Sequence, residues 1–453
     1  MAARLTAWVS RMSGRGGSSL PGLVARRIAP DVLARLGVGL RGGVALITGT
    51  NGKTTTAAMV RQVLQSVGLK VIANRSGANL AAGITTTFIM AGNWRRVRPR
   101  ADVALLETDE ATMPKVAPEL SPRAILVTNV FRDQLDRYGE LTTTLTYIQR
   151  GIDALLPSGR LVLNADDPQV AFLGEGRPGV VYYGFESDHE PVRVEAATDV
   201  SDSHRCPRCG EDLIYRTRYY AHLGDYRCVG CGWHRPQPTI SLRRTSADRN
   251  TVHLLAEFDV AECTVPLPGT YNQYNLLAAA ALVWALGISL EDIPRAIGQM
   301  PPAFGRMEGI VDGETRIWLA LVKNPTGFNQ VMRAMAEGRT TPTNALILIN
   351  DRHADGRDVS WLWDVDFEGM ASEIGVGQWW VSGTRAWDIA VRLKYAGIDQ
   401  ARVSVMAAVN QALTAAIQGS AGGTLYILPT YTALLEVRQA LTRRGLVRHF
   451  REG

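Results

Sequence analysis

Apolar positions along this chain alternate between short β-branched runs and longer helical stretches: Val44–Thr48, Thr54–Val67, Val103–Leu106, Ala124–Val127, Thr144–Leu155 and Leu161–Leu163. Such alternation predicts a parallel sheet covered by helices. Between about 188 and 266 the pattern turns polar, with Thr- and Arg-containing segments that read as antiparallel strands around a small inserted module. A helical pattern resumes at Tyr271, where Asn275, Leu276, Leu277 and an alanine run predict a tightly packed helix. After Pro301-Pro302 a second alternating series begins. It has candidate strands at 344–349, 378–382, 402–405 and 424–428 and candidate helices at 385–395 and 432–444. The expected organisation is a helical lead-in over 1–40, a central α/β domain over 41–302 with an insert at about 203–236, and a Rossmann-like α/β domain over 303–453. A ligand cleft is expected between the two large units.

With 453 residues and 46% hydrophobic content the chain supports ordinary cores, and disorder is not the default reading. A net charge of +6 suits anionic partners without selecting one. Five cysteines are too few for a disulfide scaffold at this length, which points to a reducing compartment. Arg4, Arg11, Arg15, Arg26, Arg27 and Arg35 against a lone Asp31 invite a transit-peptide reading of the first forty residues. No unbroken apolar segment follows them, and the Gly-Gly-Ser-Ser-Leu-Pro-Gly run at 16–22 reads as an ordered turn before a helix. No stretch reaches the roughly eighteen apolar residues that a spanning helix requires, so a soluble or peripheral protein is expected.

Thr48-Gly49-Thr50-Asn51-Gly52-Lys53-Thr54-Thr55 follows one predicted strand and opens a predicted helix, which is the context a phosphate cradle needs. Glycines let backbone N–H groups approach the phosphates, and the helix N-terminus favours the anion. Lys53 would neutralise the terminal phosphates, and the Thr54 hydroxyl would hold Mg²⁺. Strict Walker spacing asks for glycine at 47, where Ile47 stands, so the match is to a local variant; a plain strand-to-helix turn is the bland alternative. Cys206-x₂-Cys209 and Cys228-x₂-Cys231 make two knuckles that would present four thiolates to one zinc ion. Four thiolates leave no open position, so that zinc is expected to be structural. His204, His222 and His234 are expected at the surface, and Arg205, Arg208, Arg216, Arg218, Arg227 and Arg235 make the module basic. Few aromatics interleave with these arginines, so a solvated face is favoured over nucleic-acid binding.

The string Thr-Gly-Thr-Asn-Gly-Lys-Thr resembles the ATP-binding loop of the Mur ligases and folylpolyglutamate synthetases, which join a carboxylate to an amine through an acyl phosphate. Further segments resemble that family in chain order. Glu107, at the end of a predicted strand, stands where the family has a Mg²⁺-binding glutamate; a solvated loop acid is the alternative. Thr128-Asn129-Val130 through Asp136-Arg137-Tyr138 is similar to a Mur signature, with Gln134 in place of a histidine that helps hold metal. Asn272 and Asn275 match asparagines that contact the nucleotide, with Tyr271 in place of a histidine, and a helix N-terminal hydrogen bond is the competing role of Asn275. Gly305-Arg306-Met307-Glu308 looks like the element whose arginine reaches the nucleotide across the cleft. Lys323 lies in the Asp-x-Lys-x-Thr-Asn region, with Leu321 at the aspartate position. The cofactor-binding set so implied is Gly49, Thr50, Asn51, Gly52, Lys53, Thr54, Thr55, Asn275 and Arg306, with Lys53 and Glu107 also catalytic. The cofactors implied are ATP, Mg²⁺ on Thr54 and Glu107, and structural Zn²⁺.

Within the Mur ligases, the Cys₄ insert, the segment Asn74–Leu80 and the segment Asn350–Asp364 resemble the MurT family, over about residues 10–440. That resemblance implies a synthetase subunit lacking a uridine-nucleotide domain ahead of the phosphate loop. It would amidate the D-isoglutamate α-carboxylate of lipid II with ammonia from a GatD-like glutaminase subunit, in the cytoplasm at the inner face of the plasma membrane. Peripheral membrane contact and no nucleic-acid partner are expected. The family uses an aspartate of the C-terminal domain to complete the partner's Cys/His pair; Asp355 is the candidate, with Asp351 and Asp358 as rivals and an Asx-turn as the structural alternative. A folylpolyglutamate-synthetase-like or other Mur-type amino acid ligase is the runner-up.

Overall fold

A computed structural model describes residues 19–74, 77–92, 99–132, 141–186, 203–244, 251–257, 259–265, 267, 269–300, 307–337 and 342–447. Arg306, the Pro301-Pro302 pair, Arg75 and Ser76, and the Asp133–Tyr138 part of the Mur signature lie outside the described residues.

The first sheet is built on β1 (Gly43–Thr48), β2 (Val71–Ala73), β3 (Val103–Glu107), β4 (Ala124–Val127), β5 (Arg160–Asn164) and β6 (Val181–Phe185), all parallel. A separate antiparallel hairpin, β7 (Leu213–Tyr220) and β8 (Leu223–Cys228), carries the cysteine module. β9 (Ile240–Arg244), β10 (Thr251–Leu255) and β11 (Val260–Thr264) then extend the sheet, antiparallel to one another, as the polar Thr/Arg pattern anticipates. The full order is β11-β10-β9-β6-β5-β4-β1-β3-β2. Successive strand residues point to opposite faces, and both faces are covered. Ala45 and Ile47 pack on Met59, Val60 and Leu64 of the helix Lys53–Ser66. Val44 and Leu46 share the opposite core with Ile84, Phe88 and Val116. The lead-in helix Leu20–Ile28 seals that side, where the Gly22 N–H donates to Thr86 Oγ1 at 2.9 Å and Arg26 pairs with Glu119.

β1 lies between β3 and β4, so connections leave it toward both sides, which opens a crevice beyond its C-terminal end. The registers Ile47↔Glu107 and Thr48↔Val127 bring three strand ends level there. Residues that follow those strands therefore meet, although β1 ends at Thr48, β3 at Glu107 and β4 at Val127.

A second sheet contains β12 (Glu308–Asp312), β13 (Thr315–Leu319), β14 (Thr343–Leu348), β15 (Trp379–Ser382), β16 (Val403–Val405) and β17 (Thr424–Pro429), in the order β12-β13-β17-β14-β15-β16. It is parallel apart from β12, which joins β13 in a hairpin that the sequence pattern did not single out, turning at Gly313 with φ +59°. The helix Thr270–Ala285 is buried continuously from Asn272 to Val283. It packs on the Lys53–Ser66 helix and on the strand layer, which explains an alanine run with no polar face. Among the described residues no helix is long and apolar enough to cross a membrane.

Two expectations about the cysteine module are corrected. His222 is fully buried, whereas His204 and His234 are exposed as expected. Arg235 is also buried, bonded through Nε to Asp166 Oδ1 at 2.5 Å; it ties the module to the first sheet and does not belong to a basic outer face. The sequence carries no sign of either, because the partners that bury them lie far away in the chain.

Candidate functional site

The phosphate loop leaves β1 at Thr48 and enters the helix at Lys53, with Gly49 at φ +121° and Gly52 at φ +87°. Both angles strain any residue with a Cβ, and there is no room for one: at Gly52 it would strike the Asn275 side-chain oxygen, at Gly49 the Thr128 hydroxyl. The same packing shows that Asn275 lies directly against the loop. Its Nδ2 donates to Asn272 Oδ1 at 3.1 Å, and its carbonyl accepts from Thr56. Asn129, in the Mur-like signature, clamps the loop from the β4 side: its Oδ1 accepts the Asn51 N–H at 2.9 Å and its Nδ2 donates to the Asn51 carbonyl at 3.1 Å.

Lys53 is buried and donates to the Gly49 carbonyl and, at 2.8 Å, to Glu110 Oε1. Burial works against its charge, but the Glu110 carboxylate, together with Glu107 and Asp109, outweighs burial and raises its pKa. Burial pushes Glu110 itself upward despite Lys53. Glu110 was missed in the sequence; the cue available was its place in Glu107-Thr108-Asp109-Glu110, where three acids crowd one strand end. Glu107 accepts the Thr54 hydroxyl at 2.9 Å through Oε2, which brings the two residues expected to hold Mg²⁺ together. Asn74 braces the Glu107 backbone on both sides, accepting its N–H at 2.9 Å and donating to its carbonyl at 2.8 Å. A hydroxyl and a carboxylate so close, at the start of a helix, fit the hard-oxygen sphere of a Mg²⁺ ion bridging to phosphates.

The second unit reaches this loop directly. Lys323 Nζ donates to the Thr50 carbonyl at 3.1 Å and Asn324 Nδ2 to Asn51 Oδ1 at 3.1 Å. Between the units a cleft is lined by Asn51, Gly52, Thr55, Tyr271, Asn275 and Lys323, among others. Met307, next to Arg306 in the chain, also lines the cleft.

The four cysteine sulfurs lie within 4.8 Å of one another, Cys206 to Cys231 at 3.7 Å and Cys209 to Cys228 at 3.4 Å. Tetrahedral Zn²⁺ with bonds of about 2.3 Å sets sulfur pairs about 3.8 Å apart, so the cluster fits zinc. Backbone N–H groups of Gly230 and Cys231 point at Cys228 Sγ, as in a metal knuckle. Burial opposes ionisation of Cys228, but these N–H groups and the neighbouring thiols prevail and bring it down to about 6.

Asp355 is buried in the loop after β14. Its Oδ1 accepts the Thr432 N–H at 2.7 Å and its Oδ2 the Thr432 hydroxyl at 2.5 Å, at the start of the helix Tyr431–Arg443. Of its rivals, Asp351 is held below the ordinary carboxylate range first by the Thr384 hydroxyl and then by Arg385. Asp358 is likewise lowered, by Ser360.

Two families match this chain: the Mur ligase middle domain over residues 47–216 and the MurT ligase C-terminal domain over 321–434. Subunit MurT of the glutamine-hydrolysing lipid II isoglutaminyl synthase from Streptococcus pneumoniae is 34% identical over 451 residues, 99% of this chain and 97% of that protein. The Staphylococcus aureus (strain N315) subunit of the same name is 34% identical, over 97% of this chain and 96% of its own length. Among solved structures, a pseudomurein peptide ligase type C from Methanothermus fervidus shares the fold, with a TM-score of 0.68 and 21% identity over 90% of this chain and 80% of that one. On identity, coverage and a phosphate loop that two α/β units enclose, this chain belongs to the MurT family of Mur-type ligases.

Proposed function

We propose that this protein is the ATP-dependent synthetase subunit of a lipid II isoglutaminyl synthase, a carbon–nitrogen ligase of peptidoglycan synthesis. The α-carboxylate of D-isoglutamate in lipid II attacks the γ-phosphorus of ATP, the bond to the ADP oxygen breaks, and an acyl phosphate forms. Ammonia from a GatD-like glutaminase subunit then adds to the acyl carbon, phosphate leaves with its oxygen, and a proton is released with formation of D-isoglutamine.

The observation that carries this reading is the convergence of Lys53, Thr54 with Glu107, and Lys323 on one loop between two α/β units. Backbone N–H groups of Gly49 to Thr55 would hold the phosphates, and Lys53 and Lys323 would spread charge on the transferring phosphoryl group. Thr54 and Glu107 would hold Mg²⁺, which supplies charge neutralisation at the phosphates. Asn275, against Gly52, would contact the nucleotide, and Arg306 would reach it from the second unit. Closure of the cleft would keep water from the acyl phosphate. We assign Asp355 to orienting the glutaminase imidazole; Thr432 fixes the direction of its carboxylate. We place the reaction in the cytoplasm, at the membrane face that presents lipid II.

The test is reconstitution. Purified chain with its glutaminase subunit, lipid II, glutamine and MgATP is expected to give amidated lipid II and one ADP per amide. Folded protein that forms no amide there, and none with ammonium chloride as the nitrogen source, would overturn the assignment.

A further inference from the structure

The tip of the cysteine-module hairpin behaves unlike a loop tip. Tyr220, Ala221, His222 and Leu223, where β7 turns into β8, are all buried, and Ala221 adopts φ +47°. Hairpin tips ordinarily face water, so burial here means that the module is driven into the body of the protein. His222 sits on Phe131, ring centroids 4.6 Å apart, with its Nε2 3.4 Å from Asp167. Tyr220 stacks on the same Phe131 at 6.1 Å and meets Tyr274 edge-on at 5.5 Å. Phe131 is in turn held to the phosphate loop, its N–H donating to Thr50 Oγ1 at 2.9 Å.

Tyr220 also lines the interdomain cleft, together with Gly52, Thr55, Tyr271 and Asn275. The direction of a bound nucleotide follows from the loop. Lys53, Thr54 and Glu107 mark the terminal phosphates, so Thr55 and Asn275, beyond Gly52, mark the end that carries ribose and base. Tyr220 stands at that end. We infer that Tyr220, delivered by the hairpin tip of the zinc module, is a base-recognition residue of the nucleotide site, so the module forms part of the site's wall. This inference rests on the ligase reading, because it takes the loop to hold a nucleoside triphosphate.

The test separates base from phosphate. Calorimetric titration of the whole chain with MgATP is expected to show affinity falling about tenfold in Tyr220→Ala, the scale of one lost aromatic contact to a base. Tyr220→Phe should restore it, and magnesium tripolyphosphate, which has no base, should bind all three proteins alike. Should Tyr220→Ala lose its cooperative melt, Tyr220→Leu replaces it, keeping the apolar plug without the π face. Unchanged MgATP affinity, or an equal loss toward tripolyphosphate, overturns the inference and leaves the ligase reading standing. A parent chain that binds neither ligand overturns both.

Discussion

At the scale of single residues, the telling contact is Lys53 with Glu110. A buried lysine needs a buried counter-charge, and the acid that supplies it is not the one whose position in the sequence marks it as a metal ligand. Glu107 faces Thr54, Asp109 caps its own turn by accepting the Ala111 N–H, and Glu110 turns back toward Lys53. Lys53→Ala is therefore expected to lower ATP-dependent turnover by about a thousandfold. It should also cost about 3 kcal/mol in urea unfolding, because Glu110 is left buried and alone. Adding Glu110→Gln should recover most of that stability and none of the turnover; a double variant that regains turnover would remove Lys53 from the machinery. The pH dependence has a definite sign. Burial raises the folded pKa of Glu110 above its ordinary 4.5, so the folded single variant binds the proton more tightly than the unfolded chain. Its stability deficit should therefore shrink as pH falls through the raised value and be largest above it.

At the scale of elements, the hairpin of β7 and β8 is fixed at both ends. The cysteine cluster closes one end, and the buried tip with the Arg235–Asp166 pair closes the other. Asp166 also accepts the Tyr274 hydroxyl at 2.6 Å and the Phe185 N–H at 2.9 Å, so a single carboxylate joins the module, the sheet and the helix that carries Asn275. Chelation is expected to release one zinc per chain, followed with a metal-sensitive dye. It should lower the thermal midpoint by roughly 5 °C or more, since a ligand bound only by the folded form stabilises it. Zinc release with an unmoved midpoint would show that the module contributes nothing to the stability of its host.

At the scale of the whole molecule, the two α/β units touch at the phosphate loop itself, through Lys323 and Asn324. Closure and nucleotide binding are therefore expected to be coupled, because whatever orders the loop also presents the acceptors that the second unit needs. Asn324→Ala removes one of those bonds, worth about 1 kcal/mol. It is expected to enlarge the radius of gyration of the free chain in small-angle scattering and to raise the KM for ATP about fivefold. An unchanged scattering profile with unchanged KM would mean that the contact does not hold the units together.

What could be read from the chain alone was whatever is local in it. A strand, two glycines, a lysine and the start of a helix lie within a dozen residues, and the positive φ angles of the turn are admitted by its own glycines. The cysteine pairs are likewise local, and alternating apolar runs announce both sheets. Tertiary packing decided the rest. It joined Lys53 to Glu110, Asn51 to Asn129, Asp355 to Thr432 and Thr50 to Lys323, and it buried His222, Arg235 and Tyr220, which sequence reasoning had left at the surface or unmentioned. The reason is physical: a polar side chain far from its partner in the chain carries no periodic signal. Only strand order and register determine which of several acids, arginines or tyrosines comes to face the loop.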